Sequence, residues 1–171
     1  MRLGVDETGV TEVMGVTEHA KAMATTAGAL GLDTRGSPLI APIEVKESDG
    51  TVRVLLDEIA AWWRTASGVA DVPVLWRILA RNPHYLEATW RKDRALMSDG
   101  ALSARDKRRT ALGVSMAGRG RYMIDHHAEI LRHAGDTDQD LLEVLGVVDH
   151  YTTLNTLSEG MQIESDIRPP Q

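Results

Sequence analysis

Apolar residues recur every three or four positions along most of this 171-residue chain, a spacing typical of amphipathic helices. The pattern is clearest between the cap candidates Ser48 and Asp49 and the helix-ending Gly68. The apolar positions of this stretch are Val52, Leu55, Leu56, Ile59 and Trp63. Aliphatic residues and methionine carry the apolar content elsewhere, and aromatic residues make up only 4% of the chain. The sequence therefore predicts an all-α fold.

Turn signals divide the second half of the chain into further predicted helices. Asp71 and Pro73 are typical of an N-cap and a first-turn proline, and they predict a short helix that ends at Leu79. Longer helices are predicted over about 85–97, 103–116, 121–134 and 137–159. Ser103 and Thr137 each precede an aspartate by three positions, a pattern typical of a capping box. A strand is compatible only with residues 39–45, which lie in a segment interrupted by proline and glycine.

The two ends of the chain carry similar sequences. Residues 3–25 align with residues 134–156 at one constant offset, which pairs Gly4 with Gly135 and His19 with His150. The other identical pairs are Glu12/Glu143, Val13/Val144, Gly15/Gly146, Val16/Val147 and Thr25/Thr156. A chance match between two amphipathic helices is the alternative to an internal repeat. On the repeat interpretation, the N-terminus holds only the second half of a unit that the C-terminus holds whole.

The repeat predicts a domain organisation. Residues 1–34 form a partial first repeat of a turn plus a helix, and residues 35–49 form a linker. Residues 50–165 form the complete helical domain, and residues 166–171 form a tail. A chain that begins in the middle of a unit suggests either that a first half was lost or that the true start lies upstream of Met1.

Composition excludes several classes of function. The chain has no cysteine, so thiol nucleophiles, disulfides, cysteine-based zinc sites and iron–sulfur clusters are excluded. A net charge of −6 and a pI of about 5.5 argue against a nucleic-acid partner. The chain has no apolar run of membrane-spanning length and no N-terminal targeting pattern. We therefore expect a cytoplasmic protein without a membrane partner.

A set of short motifs between Ile78 and Gly135 points to a known family. They are Ala80-Arg81-Asn82-Pro83, Leu96-Met97, Gly100-x-Leu102-Ser103, Val114-Ser115, and Tyr122 followed by His127 and Leu131. In order and spacing this stretch resembles the alkylhydroperoxidase AhpD / carboxymuconolactone decarboxylase superfamily. The resemblance implies an AhpD-like helical bundle in which the helices over 103–116 and 121–134 form a central antiparallel pair. It also implies a homo-oligomer, because such domains usually complete their core across subunits.

The residues that serve the thiol peroxidases of that family are largely replaced in this chain. Those members carry Cys-x-x-Cys-x-x-x-His at the start of a helix and a glutamate on the preceding helix. Aligned on His127, the two cysteine positions fall on Gly120 and Met123, and the glutamate position falls on Arg108. Neither glycine nor methionine forms a thiolate, and arginine stays protonated, so the peroxidase chemistry is excluded. The decarboxylase branch usually has Asn-Glu before the histidine, where this chain has Tyr122-Met123.

Two classes of function remain after that comparison. One is a cofactor-independent enzyme, such as a decarboxylase, isomerase or hydrolase, that acts on a small carboxylate. In that hypothesis His127 is the general acid/base, Tyr122 donates a hydrogen bond, and Arg108 or Arg121 anchors the carboxylate. We expect Tyr122, His127 and Arg108 to meet at a concave site between the two central helices. The other class is a catalytically inactive binding or oligomerisation module.

Arginines gather around the turn that opens the His127 helix. Arg119 and Arg121 lie at a helix N-terminus, where free N–H groups favour anions, so this turn is a candidate carboxylate site. Solvated surface arginines are the alternative interpretation. The face formed by His126, Glu129 and His133 has a spacing that a metal could use, but it lacks a strict ligand motif. We therefore expect a solvated face there, with no metal and no cofactor.

Overall fold

A computed structural model describes residues 6–164 of the chain, and within them it contains seven α-helices and one short 3-10 helix. The α-helices are α1 (Glu7–Ala29), α2 (Gly50–Ser67), α3 (Val74–Leu79), α4 (Pro83–Met97), α5 (Ala104–Ala117), α6 (Arg121–His133) and α7 (Asp138–Gly160). The 3-10 helix covers Val45–Glu47. The all-α prediction is confirmed for the described residues. None of their helices combines the length and the apolar character that crossing a membrane requires.

Side-chain caps explain where several helices begin. The side chain of Asn82 accepts a hydrogen bond from the Tyr85 N–H, and Pro83 occupies the first turn of α4. Ser103 caps α5 in the same way. At α7 the Thr137 hydroxyl and the Asp140 carboxylate form a complete capping box. These caps are local, so the sequence alone is enough to place the starts of α5 and α7.

One local prediction, the cap of α3, is wrong, and the segment 39–45 is irregular. Residues 39–45 are the only stretch whose sequence is compatible with a strand, and no strand that could pair with them lies among the described residues. Arginine side chains from the α3 region bind this backbone instead, with Arg77 donating to the Ile43 carbonyl and Arg81 to that of Ala41. Asp71 is not the cap of α3, because that helix begins at Val74 and the preceding Pro73 is extended.

Helix α5 lies at the centre of the bundle and contacts α1, α4, α6 and α7. The predicted pairing of α5 with α6 is found, and α1 lies against α4, α5 and α6. The main core joins buried side chains from α1, α2, α3, α4 and α6, the largest of them from α2, α3 and α4. They include Leu55, Leu56, Ile59, Leu75, Trp76, Leu86 and Trp90.

The N-terminal helix is part of the folded bundle. Met23, Ala27 and Leu30 of this segment lie in the main core, and the pairs formed by Glu12 and His19 hold it to α4 and α5. The predicted turn at Gly4 and the predicted tail 166–171 lie outside the described residues. The domain boundaries and the repeat remain predictions.

Candidate functional site

The structure brings Arg108 and His127 together. Arg108 lies on α5 and His127 on α6, and both side chains are buried. The Arg108 Nη1 atom is 3.5 Å from His127 Nδ1. Because arginine can only donate hydrogen bonds, the His127 Nδ1 atom must accept, which places the proton of the neutral ring on Nε2. That Nε2 atom is buried and has no hydrogen-bond partner among residues 6–164.

Two residues that the sequence analysis did not place in the site complete a buried polar cluster. Asp93 of α4 has its Oδ2 atom 3.5 Å from Arg108 Nη2. Its Oδ1 atom is 3.2 Å from Nε2 of His19, which lies on α1. We call His19, Asp93, Arg108 and His127 the buried polar cluster. It joins four helices, and its contacts are long-range in sequence.

A sequence signal for Asp93 does exist. Asp93 shares one face of α4 with Leu86, Trp90 and Met97, at the spacing of an apolar helical stripe. A carboxylate on such a stripe must be paired when it is buried. The signal predicts a partner but does not identify it, because Arg108 and His19 come from other helices.

The buried polar cluster carries unusual ionisation. Burial by itself raises the pKa of Asp93, but the charge of Arg108 and the hydrogen bond from His19 outweigh it and hold that pKa well below its usual range. Burial, reinforced by the positive charge of Arg108, lowers the pKa of His127 well below that of a free histidine. His127 is therefore neutral at physiological pH, while Asp93 and Arg108 are charged.

His126 lies beside the cluster and has a packing role. Its ring stacks on Trp63, with the centroids 4.6 Å apart, and meets the His127 ring edge-on at 5.2 Å. Burial and the charge of Arg108 lower the pKa of His126 to about 3. Within residues 6–164, no group of three or more His, Asp or Glu side chains is placed to hold a metal ion.

A cavity of about 380 Å³ lies next to the buried polar cluster. Arg108 lines it and contacts His127, so Arg108 connects the cluster to the open space. Arg94 and Arg105 also line this cavity, together with Trp62. We call this space the arginine cavity. Its remaining wall is mostly apolar, with Met97, Ile130 and Leu131 among its residues.

Arg94 has a different environment from the other two arginines. Arg108 is paired with Asp93, and Arg105 is paired with Asp136. The Arg94 guanidinium lies 4.7 Å from the Trp62 ring centroid and 5.6 Å from that of Trp90. It has no acidic partner among the described residues. Trp62 also lies beneath Arg108, at 5.2 Å, so two guanidinium groups share one indole.

Tyr122 does not join this cluster through its hydroxyl group. The Tyr122 oxygen accepts a hydrogen bond from the Leu75 N–H at 3.2 Å, on the α3 side of the molecule. Burial raises the pKa of Tyr122 to about 12, so the phenol stays protonated. The ring centroids of Tyr122 and His126 lie 6.5 Å apart. Of the three residues predicted to meet at one site, Arg108 and His127 are in contact. The Tyr122 hydroxyl is hydrogen-bonded to the Leu75 N–H instead.

The turn at the start of α6 already holds an internal anion. Asp33 accepts a hydrogen bond from the Tyr122 N–H at 2.6 Å, so a carboxylate of the chain itself occupies the helix N-terminus. Arg121 is exposed and pairs with Asp125 on the same helix. Arg119 is exposed and adopts the left-handed backbone conformation. The predicted carboxylate site at Arg119 and Arg121 would have to compete with these two internal carboxylates.

The two positions that correspond to the family's cysteines are closely packed. A side chain at Gly120 would place its Cβ atom 3.0 Å from the Ala24 Cβ on α1. Met123 is almost fully buried in the main core. At Gly120 the space that a thiol would need is occupied by α1. Positions 120 and 123 therefore contribute to the packing of the start of α6 against α1 and the main core.

Comparison with known proteins agrees with this architecture. The model of the carboxymuconolactone decarboxylase family matches residues 83–163, which run from the start of α4 to the end of α7 and include Arg108 and His127. The fold is similar to the crystal structure of the alkylhydroperoxidase AhpD core from Rhodospirillum rubrum ATCC 11170, with a TM-score of 0.69. The two sequences are 28% identical, and the match covers 77% of this chain and 96% of that chain. No protein of the curated set matches at a significant level. Over residues 83–163 the chain therefore resembles the carboxymuconolactone decarboxylase family, its described fold is that of the AhpD core, and its sequence has no cysteine.

Proposed function

We propose that this protein binds a small organic carboxylate in the arginine cavity. The observation that carries the proposal is Arg94, a guanidinium that faces an open cavity without an acidic partner among the described residues. A cationic group in such a place is stabilised by an anion that enters the cavity. Trp62 and the aliphatic wall would pack against the carbon skeleton of the ligand.

The charges around the cavity favour a ligand with few negative charges. Arg108 pairs with Asp93, and Arg105 shares Asp136 with Arg109, whereas Arg94 forms no ion pair among the described residues. Asp99 also lies on the cavity wall, and its carboxylate binds the Ala104 N–H. One carboxylate paired with Arg94 satisfies this balance. A volume of about 380 Å³ suits a ligand of small-molecule size.

Calorimetric titration with acetate, succinate and benzoate at constant ionic strength tests the proposal. We expect at least one of these anions to bind the wild-type chain, and we expect Arg94→Gln to weaken that binding about tenfold or more, equivalent to about 1.4 kcal/mol. Arg132→Gln is the matched control, because Arg132 is an exposed arginine of α6 that pairs with Asp138 outside the cavity. Equal affinities for the wild-type chain and Arg94→Gln would contradict the proposal.

A second candidate function is catalysis on a small carboxylate, and the buried Nε2–H of His127, which has no hydrogen-bond partner among the described residues, favours it. A buried donor without a partner costs free energy, so it is a typical site for a substrate oxygen. A neutral imidazole N–H of this kind stabilises negative charge that develops on a carbonyl or enolate oxygen. In this hypothesis Arg108 fixes the ring orientation through Nδ1.

Deuterium exchange separates catalysis from binding. Wild-type protein is incubated in D2O with small 2-oxo and unsaturated carboxylates, and NMR follows deuterium incorporation and loss of CO2. Catalysis by His127 predicts turnover that His127→Gln abolishes while carboxylate affinity is retained. If the wild-type chain binds a carboxylate but catalyses neither exchange nor decarboxylation, the chain acts as a binding module.

A further inference from the structure

The wall of the arginine cavity carries a carboxylate as well as arginines. Asp99 lies in the turn that follows α4, and it lines the cavity together with Arg94. One of its oxygens, Oδ1, accepts a hydrogen bond from the Ala104 N–H at 2.7 Å. Its carboxylate forms no ion pair with a basic side chain of residues 6–164. The cavity therefore has an acidic and a basic group on its wall, neither of which is neutralised by an ion pair within the described chain.

These two groups are held apart. The Arg94 guanidinium packs on the indoles of Trp62 and Trp90, at 4.7 and 5.6 Å from their centroids. Asp99 is held instead by the backbone of Ala104, at the start of α5. Because each side chain has its own anchor, the two charges line the same cavity and yet form no ion pair with each other. An occupant that carries both signs of charge could pair with each of them.

The helix ends around the cavity add to the negative side of this arrangement. Thr65 belongs to the last turn of α2, Met97 to that of α4 and His133 to that of α6, and all three line the cavity. The C-terminus of a helix carries partial negative charge on its free carbonyl groups. Among the described residues, the backbone N–H of the C-cap residue closes the ends of α2 and α6, whereas that of Ser98 does not close α4. The end of α4 beside Asp99 is therefore a favourable place for a hydrogen-bond donor or a cation.

The balance of charge indicates what kind of ligand the cavity accepts. A plain carboxylate pairs with Arg94 but leaves Asp99 without a partner, and its charge is repelled by that aspartate. A second carboxylate on the ligand would increase this repulsion. A ligand with one carboxylate and one protonated amine provides a partner for each group, and both pairs are charge-assisted hydrogen bonds. Its carbon chain would pack on Trp62 and on the aliphatic wall.

We propose that the ligand of the arginine cavity is a small aminocarboxylate, whose carboxylate pairs with Arg94 and whose ammonium group donates to Asp99. This inference rests on the proposed function, because it names the class of carboxylate that the same cavity binds. Asp99 then determines specificity, since it distinguishes an aminocarboxylate from a carboxylate of equal length. Asp99 is exposed, so its pair strengthens binding by only about threefold, as ion pairs near solvent do.

Matched ligands of one chain length test the inference on the wild-type chain. Caproate has no second group, ε-aminocaproate and norleucine each add an amine, and ε-hydroxycaproate and α-hydroxycaproate replace that amine with a neutral hydroxyl. Calorimetric titration at about pH 7.5 and constant ionic strength measures each affinity. We expect at least one of the two amines to bind about threefold more tightly than caproate, and more tightly than its own hydroxy analogue.

A variant of Asp99 assigns the preference to this side chain. Asp99→Asn keeps an oxygen that accepts the Ala104 N–H and removes the negative charge. We expect this variant to bind the preferred amine no more tightly than caproate. Asp149→Asn is the matched control, because Asp149 is an exposed residue of α7 outside the cavity and its substitution changes the net charge equally. The control should retain the preference of about threefold.

The outcomes separate this inference from the proposed function. If caproate binds through Arg94 and neither amine binds more tightly, the inference is overturned and the proposed function stands. An equal amine preference in Asp99→Asn and Asp149→Asn also overturns the inference, because the ammonium group is then bound elsewhere. If none of these ligands binds the wild-type chain, both are overturned. The comparison of amine with hydroxyl uses the wild-type chain alone, so it decides the inference even if Asp99→Asn does not fold.

Discussion

Arg108 in the buried polar cluster and Arg121 at the start of α6 differ in exposure and in the environment of their ion pairs. In the buried polar cluster, Arg108 is 5% exposed and pairs with Asp93, which is 8% exposed. At the start of α6, Arg121 is 73% exposed and pairs with Asp125, which is 64% exposed. An ion pair in water contributes little, whereas a buried charge is costly once its partner is removed. The sequence suggests an anion site in both regions. At the start of α6, internal carboxylates already bind Arg121 and the Tyr122 N–H, whereas Arg94 lies on the wall of a cavity, packs on Trp62 and has no acidic partner among the described residues.

The two regions also contain the positions that align with the catalytic glutamate and cysteines of the family's thiol peroxidases. In the alignment on His127, the position of the family's glutamate falls on the guanidinium residue Arg108. The partner that holds this group is Asp93, reinforced by His19 from α1. These contacts form a charged cluster that is buried in the bundle. Arg108 is the member of this cluster that also lines the arginine cavity. The α6 turn, where the cysteines would stand, is filled by Ala24 and Asp33.

Removal of Arg108 should produce the largest effect. We expect Arg108→Met to lower the free energy of unfolding by about 3–5 kcal/mol, because Asp93 stays buried without its guanidinium. Urea denaturation at pH 7.5 measures the loss. The double variant Arg108→Met/Asp93→Leu should lose less than the single variant. A loss below about 1 kcal/mol for the single variant would show that the pair is open to water.

Acidification should produce the next largest effect. The pKa of His127 is lower in the folded state than in the unfolded state, so below the unfolded value of about 6.5 the unfolded state binds more protons. The pKa of His126 is also lowered, to about 3, so we expect the free energy of unfolding to fall by up to about 1.4 kcal/mol per histidine for each pH unit well below 6.5. Asp93 adds a further loss below about pH 4, because its pKa is also lowered on folding. Denaturation at pH 7.5 and 5.0 measures the difference, which His127→Gln should reduce.

Substitution at the α6 turn should have little effect on stability. We expect Arg121→Gln to change the free energy of unfolding by less than about 0.5 kcal/mol, because its partner Asp125 is equally exposed. Urea denaturation at pH 7.5 measures this change in the free energy of unfolding. A loss comparable to that of Arg108→Met would mean that the two regions are not different in kind.

Cysteines restored at the family positions should not restore activity. We expect Gly120→Cys/Met123→Cys to show no turnover of an organic hydroperoxide with dihydrolipoamide above the protein-free control. The reasons are that Arg108 cannot relay a proton and that Ala24 crowds position 120. Turnover that depends on both cysteines would show that the missing thiols are the sole difference from the family's peroxidases.

The sequence predicted those parts of the structure that depend on neighbouring residues. Ser103 and Thr137 are caps whose partners lie three positions away, so the starts of α5 and α7 follow from local chemistry. The pairing of the helices that carry Arg108 and His127 followed instead from the family resemblance, because helix packing is not set by neighbouring residues. The contacts of residues 39–45 could not be predicted, because the arginines that bind this segment come from the α3 region.

The remaining features of the site depend on contacts between distant segments. Arg94 faces a cavity whose wall comes from α2, α4, α5 and α6, and its stacking on Trp62 joins two of these helices. Asp33 reaches the start of α6 from the segment after α1. Neither arrangement leaves a periodic signal in the sequence. The unpaired arginine and the occupied helix N-terminus were therefore visible only in three dimensions.

A crystal structure of the chain with a bound small carboxylate tests the central claim most directly. Crystals grown without other organic acids are soaked with the tightest-binding anion from the titrations, and the ligand is located in difference density. We predict that its carboxylate lies against Arg94 in the arginine cavity, with its carbon skeleton on Trp62. A carboxylate bound at Arg119 and Arg121 with the cavity empty would contradict the account.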